Sequence, residues 1–98
     1  MRLLGFIAVV FGLGACDSPS PNMRDGVAHH LERDGHRFTV WQKDNRVEVI
    51  RLSYAPRGTH THLREVMLQA IVDATGCTPR AGSVDGDSGV LRAALTCP

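Results

Sequence analysis

VAHHLERDGHRFTVWQKDNRVEVIRLSY, residues 27–54, is the stretch that decides the fold. Apolar and polar residues alternate along it, and two pairs of turn residues divide it. Asp34-Gly35 is a strong two-residue hairpin signal and Asp44-Asn45 a weaker one. Tight turns at both points predict an antiparallel meander with a definite register. Leu31 falls opposite Phe38, His29 opposite Val40, and Val40 opposite Val49. Val27, Leu31, Phe38, Val40, Val47 and Val49 then share one face, expected to be the core face. A helix over residues 23–33 is the rival reading, and Gly26 and weak periodicity count against it. The third strand breaks its pattern, because Ile50, Leu52 and Tyr54 point away from Val47 and Val49. A bulge at Val49-Ile50 would turn them into the core; a second apolar face with Trp41 and Ile50 is the alternative. The bulge is favoured.

Downstream, Pro56 ends the strand and Thr59 or Thr61 is expected to cap a helix running to about Thr75. Leu63, Val66, Met67, Ala70, Ile71 and Ala74 repeat at helical spacing along one side. Gly76 stops the helix and Pro79 prevents its resumption. The remainder reads as one more hairpin. A turn centred on Asp87 puts Cys77 opposite Cys97, Pro79 opposite Leu95 and Ala81 opposite Ala93, with Leu91, Ala93 and Leu95 facing the helix. The expected fold is α+β, one helix on a small antiparallel sheet of about five strands with one disulfide.

The N-terminal region sets the context for those cysteines. Arg2, an apolar run from Leu3 to Leu13 and a small-residue site form a secretory signal, too short to span a bilayer. Leu13-Gly14-Ala15-Cys16 resembles the lipobox of the bacterial prolipoproteins. That resemblance implies a signal peptide over 1–15 and a diacylglycerol on Cys16. It also implies acylation of the new amino group and anchorage in the cell envelope, facing the periplasm. Asp17 favours the inner membrane by the same resemblance, with the outer membrane as the alternative. Residues 16–24, rich in Ser and Pro, are expected to be a tether holding a domain over 25–98 roughly 20 Å off the membrane. Cys77 and Cys97 remain as a pair in an oxidising compartment, where a disulfide is expected to contribute about 3 kcal/mol. Two buried thiols are the alternative.

Of the 98 residues, 83 remain after Ala15, with ten basic and ten acidic side chains. That length permits one small domain. A neutral surface without a Lys/Arg cluster argues against nucleic-acid binding. Five histidines raise a metal site, with His60 and His62 the weak candidates. Such a site needs three or four converging ligands, and alternation sends His29 and His30 to opposite faces. Asp85-Gly86-Asp87-Ser88-Gly89 begins like a calcium loop but lacks the glycine and glutamate of that motif, so it reads as a turn. Gly86-Asp87-Ser88-Gly89 also matches four letters around the nucleophile of trypsin-like proteases, whose two barrels need a far longer chain. No residues fill the nucleophile, base and oxyanion roles together, so neither an enzyme nor a cofactor is expected. The run Ile50 to Arg57, the helix closing on Thr75-Gly76-Cys77 and the late Cys resemble small bacterial lipoproteins of unknown function, which bears on the fold outline only.

The leading expectation is a lipid-anchored, non-enzymatic module that binds another envelope protein. Its partner surface would centre on Trp41 with Arg37 and Thr39, on the sheet face away from the helix. A large aromatic left in water suits a partner contact; the tether folding over it is the alternative. Periplasmic metal binding through His60 and His62, or an inhibitor or immunity role, are the runners-up.

Overall fold

The computed structural model describes residues 18–98; the signal, Cys16 and Asp17 lie outside the described residues. It shows an α+β domain in which one helix packs on an antiparallel sheet. The strands are β1 (Val27–Arg33), β2 (His36–Lys43), β3 (Arg46–Arg51), β4 (Thr78–Pro79), β5 (Asp85–Gly86) and β6 (Val90–Thr96), and the helix is α1 (His60–Thr75). The order across the sheet is β1-β2-β3-β6-β4, with β5 also paired to β6.

Turn chemistry builds the meander as expected. Asp34 and Gly35 both take positive φ, 55° and 78°, the geometry that matches the twist of a two-residue hairpin. Leu31 pairs with Phe38 and His29 with Val40, while Val40 pairs with Val49 on the other side. Phe38, Val40, Val47 and Val49 are buried under Leu63, Met67, Ala70 and Ile71 of α1, with Leu91, Ala93 and Leu95 of β6 completing the core. Gly76 ends the helix in the left-handed conformation, φ 72°, its N–H donating to the Val72 carbonyl. Thr75 Oγ1 donates to the Ile71 carbonyl and accepts the Cys77 N–H, so the chain leaves the helix already directed at the disulfide. Cys77 and Cys97 are bonded, closing a sequence separation of 20 residues.

Four sequence expectations are corrected. Val27 is 60% exposed at the free end of β1, where α1 does not reach it, so it is not core. β3 carries no bulge: pairing runs without a break from Lys43–Arg46 to Phe38–Arg51, and Ile50 is buried on the face opposite Val49. The strand ends before Tyr54, which is 83% exposed. The last hairpin follows the expected register only through Pro79–Leu95. Beyond it, residues 80–84 oppose only Ala93 and Ala94, and pairing resumes at Asp85–Arg92. A 3₁₀ turn at Ala81–Ser83 takes up the excess, and Ser83 Oγ accepts the Ala94 N–H and donates to the Arg80 carbonyl. Thr59 occupies the N-cap position as expected, capping through its carbonyl, which accepts the Leu63 N–H, while its hydroxyl donates to the Pro56 carbonyl.

The fourth correction concerns the tether. Pro21–Met23 forms a 3₁₀ turn that packs against β2, and Met23 is 4% exposed. The Ser20 N–H donates to Glu48 Oε2 at 3.1 Å, which brings the chain across the outer face of the sheet. Gly26 permits this approach, since a Cβ there would sit 2.6 Å from the Gln42 carbonyl oxygen. From Ser20 onward the segment belongs to the domain.

Candidate functional site

The outer face of the sheet alternates with the core face along every strand. It carries Ala28, His30 and Glu32 of β1, Arg37, Thr39 and Trp41 of β2, Arg46, Glu48 and Ile50 of β3, and Arg92 of β6. The expected partner surface does not hold together there. Arg37 is exposed, but Thr39 is fully buried, its hydroxyl 3.1 Å from His30 Nδ1. Trp41 is half-buried, and its indole N–H is enclosed with no acceptor among the described residues. A buried hydroxyl and an enclosed indole cannot serve as the exposed centre of an interface. The segment Pro21–Met23 packs against β2 as well, and in the sequence only Met23, an apolar residue just beyond the Ser/Pro stretch, signals that packing.

Glu48 lies at the middle of this face and is 3% exposed. One carboxylate oxygen accepts from Ser20, and the other faces the Arg92 guanidinium at 3.6 Å. A cleft of about 290 Å³ opens beside it, lined by Asn22, Met23, Arg46, Ser83, Asp85 and Arg92 among others.

His60 and His62 diverge. His60 Nδ1 shares a hydrogen bond with Ser88 Oγ at 2.5 Å, whereas His62 Nε2 meets Asp34 Oδ2 at 2.6 Å on the first hairpin. Among the described residues no three His, Cys, Asp or Glu side chains converge on one point. The His62–Asp34 and Arg33–Asp73 pairs tie the hairpin tip to α1 from exposed positions, where water and salt screen them.

Ser88 is the unforeseen junction. The Arg51 guanidinium donates to its carbonyl and, at 3.3 Å, to its hydroxyl, so β3, the loop before β6 and the start of α1 meet at one buried serine. Asp87 Oδ1 accepts from the N–H groups of Gly89 and Val90 at 2.8 and 3.1 Å. The carboxylate therefore organises its own turn and does not orient the imidazole as in a catalytic triad. Those two N–H groups, and beyond them the positive charges of Arg51 and His60, hold the Asp87 carboxyl below its ordinary pKa of 3.8.

The turn's contribution is complete above the ordinary carboxylate range and is lost as the pH falls through the depressed pKa. Amide proton shifts of Gly89 and Val90 should titrate together with a midpoint below 3.8, and a midpoint at or above it would remove Asp87 from this role.

Open strand edges differ at the two ends of the sheet. One end closes with β4, only two residues long and containing Pro79. That is how exposed edges are ordinarily blunted. The other end is β1, seven residues paired with β2 without a bulge. Arg33 and His36 close the hairpin as a hydrogen-bonded pair, so alternation turns the N–H and C=O groups of Glu32, His30 and Ala28 outward. The Glu32 carbonyl accepts from the Arg33 guanidinium; the outward groups of Ala28 and His30 are unpaired among the described residues. Val27, exposed, and Leu31, half-buried, flank this row on the helix side.

No family model, curated protein or solved structure matches the chain. No helix among the described residues is long and apolar enough to cross a membrane.

Proposed function

We propose that the chain is a lipid-anchored protein of the bacterial envelope that binds another protein by adding a strand of the partner to the open edge of β1. The anchor is Cys16 of the Leu13-Gly14-Ala15-Cys16 lipobox, exposed by removal of residues 1–15 and acylated, with Asp17 favouring the inner membrane. The domain does no chemistry of its own and takes no cofactor. The observation that carries the binding reading is the asymmetry of the sheet. One edge is shortened and carries a proline, and the other is left long, regular and unpaired. A strand docked there gains main-chain hydrogen bonds at Ala28 and His30, while Val27 and Leu31 offer alternate side-chain contacts.

Ala28→Pro tests this. It deletes one outward N–H and places a ring where the partner backbone would approach, at a position where an edge strand tolerates proline. In membranes treated with a crosslinker, capture of the partner should fall about tenfold relative to wild type, the equivalent of about 1.4 kcal/mol, within reach of one lost hydrogen bond and a clash. Glu65→Gln, on the exposed side of α1, should leave capture unchanged. Equal capture by Ala28→Pro, with an unaltered melting temperature, would rule out the β1 edge.

A further inference from the structure

Resting on the lipid-anchor reading, we infer that the outer face of the sheet lies against the bilayer, with Arg46 and Arg92 on lipid headgroup phosphates, and that α1 faces away from the membrane. Residues 16–24 would form a free leash if unpacked, but the Ser20 N–H is bound to Glu48 and Met23 is buried. Only four residue steps separate the acylated Cys16 from that first fixed point. Fully extended, they span at most about 14 Å.

Ser20 sits on the outer face, over Glu48. To bring α1 to the bilayer, the leash would have to pass round the sheet edge and across the full thickness of the domain. The helix axis lies about 10 Å from the sheet and its far surface about 5 Å beyond, so this path exceeds the leash before the sheet's outer side chains are counted. The anchor point therefore selects the face.

That face has the chemistry for headgroups. Arg46 is exposed and has no partner among the described residues, and Arg92, half its side chain in solvent, stands beside the cleft that opens next to the Ser20 crossing with its Nε 3.6 Å from Glu48 Oε1. Both lie on the outer face, two residues along from each other across the β3–β6 ladder. Arg37 and Lys43 share it, Lys43 being paired with Asp25. Of the carboxylates there, Glu48 is buried under the crossing chain beside Arg92 and Asp25 is taken up by Lys43, while Glu32 lies at the hairpin end and Asp85 opposite Arg92, so Arg46 is the free cation nearest the crossing among the described residues. Guanidinium groups near the surface of an anionic leaflet are attracted to phosphate oxygens.

The experiment uses the full chain, processed and acylated in cells, in vesicles of phosphatidylethanolamine and phosphatidylglycerol carrying a headgroup photocrosslinker. Acylation and membrane retention are checked first by intact mass and by resistance to carbonate extraction. Crosslinks should fall on residues 22–24, 43–48 and 90–94, and those on residues 60–75 should be at background. Arg46→Gln with Arg92→Gln should lower the crosslinks on the outer face by about fivefold or more. Inserting eight Gly/Ser residues between Pro19 and Ser20 should abolish the contrast between the two faces. An acylated, membrane-retained protein labelled equally on α1, or labelled on the outer face regardless of both arginines, would overturn the proposal while leaving the anchor intact. A protein without acyl chains would overturn the anchor reading and this one with it.

Discussion

Replacing Cys77 and Cys97 together by alanine should lower the melting temperature by about 12–24 °C. The bond closes a loop of 20 residues. Constraint of an unfolded loop of that length contributes about 3 kcal/mol, and each kcal/mol shifts the midpoint of a domain this size by about 4–8 °C. Its placement adds to the effect. Cys77 follows the helix-terminating Gly76 and is buried in the core, so the bond ties the end of α1 to the end of β6. Without it, two-residue β4 has little to hold it against β6. Thermal unfolding followed by circular dichroism checks this, and a shift under about 3 °C would mean that the core alone holds the C-terminal hairpin.

Phe38→Ala should cost about 3–5 kcal/mol, the range for deleting a fully buried aromatic ring. Phe38 is completely enclosed between the first hairpin and α1, and no other ring in the described core can refill the space. A domain of about 80 residues holds roughly 4–12 kcal/mol in total, so this one change consumes much of the margin. The paired control is Val27→Ala, which sequence alternation places on the same face. Because Val27 is exposed, its truncation should change stability by no more than about 0.5 kcal/mol. Urea unfolding of the two variants separates them; comparable losses would mean that α1 reaches further along β1 than the packing shows.

The contrast between Phe38 and Val27 shows what sequence can and cannot carry. Register is local chemistry: Asp34-Gly35 fixes which residue meets which, and alternation then assigns faces without knowledge of the rest of the fold. Burial is not local. Whether a core-side valine is covered depends on the reach of α1, a tertiary quantity. Likewise, Val49-Ile50 reads as a bulge only if one face is assumed to be wet. Ile50 stays in register and is buried on the outer face all the same. The pairing of Cys77 with Cys97 was legible because a single register aligned it with Pro79 and Leu95. The 3₁₀ turn at Ala81–Ser83 was not, since its stability rests on the Ser83 hydroxyl meeting Ala94 across the hairpin.

The functional surfaces follow the same division. Trp41, Thr39 and Arg37 do share the outer face, as the register requires, yet Ser20 and Met23 crossing that face alter what it can do. His60 and His62 are two residues apart in sequence but point to Ser88 and Asp34 on separate elements. The open edge of β1 was invisible to sequence because edges are defined by the order of strands, and β6 had to be inserted beside β3 before β1 was left outside.

The proposed anchor on Cys16 is the premise on which both the proposed envelope location and the proposed facing of the sheet depend. Its most direct test is the intact mass of the protein extracted from membranes of cells producing the full chain. The predicted mass is that of a polypeptide beginning at Cys16 and carrying a diacylglycerol and an amide-linked acyl chain, abolished in Cys16→Ser. A mass that still includes Met1 to Ala15, or one beginning at Cys16 with no added lipid, would contradict it.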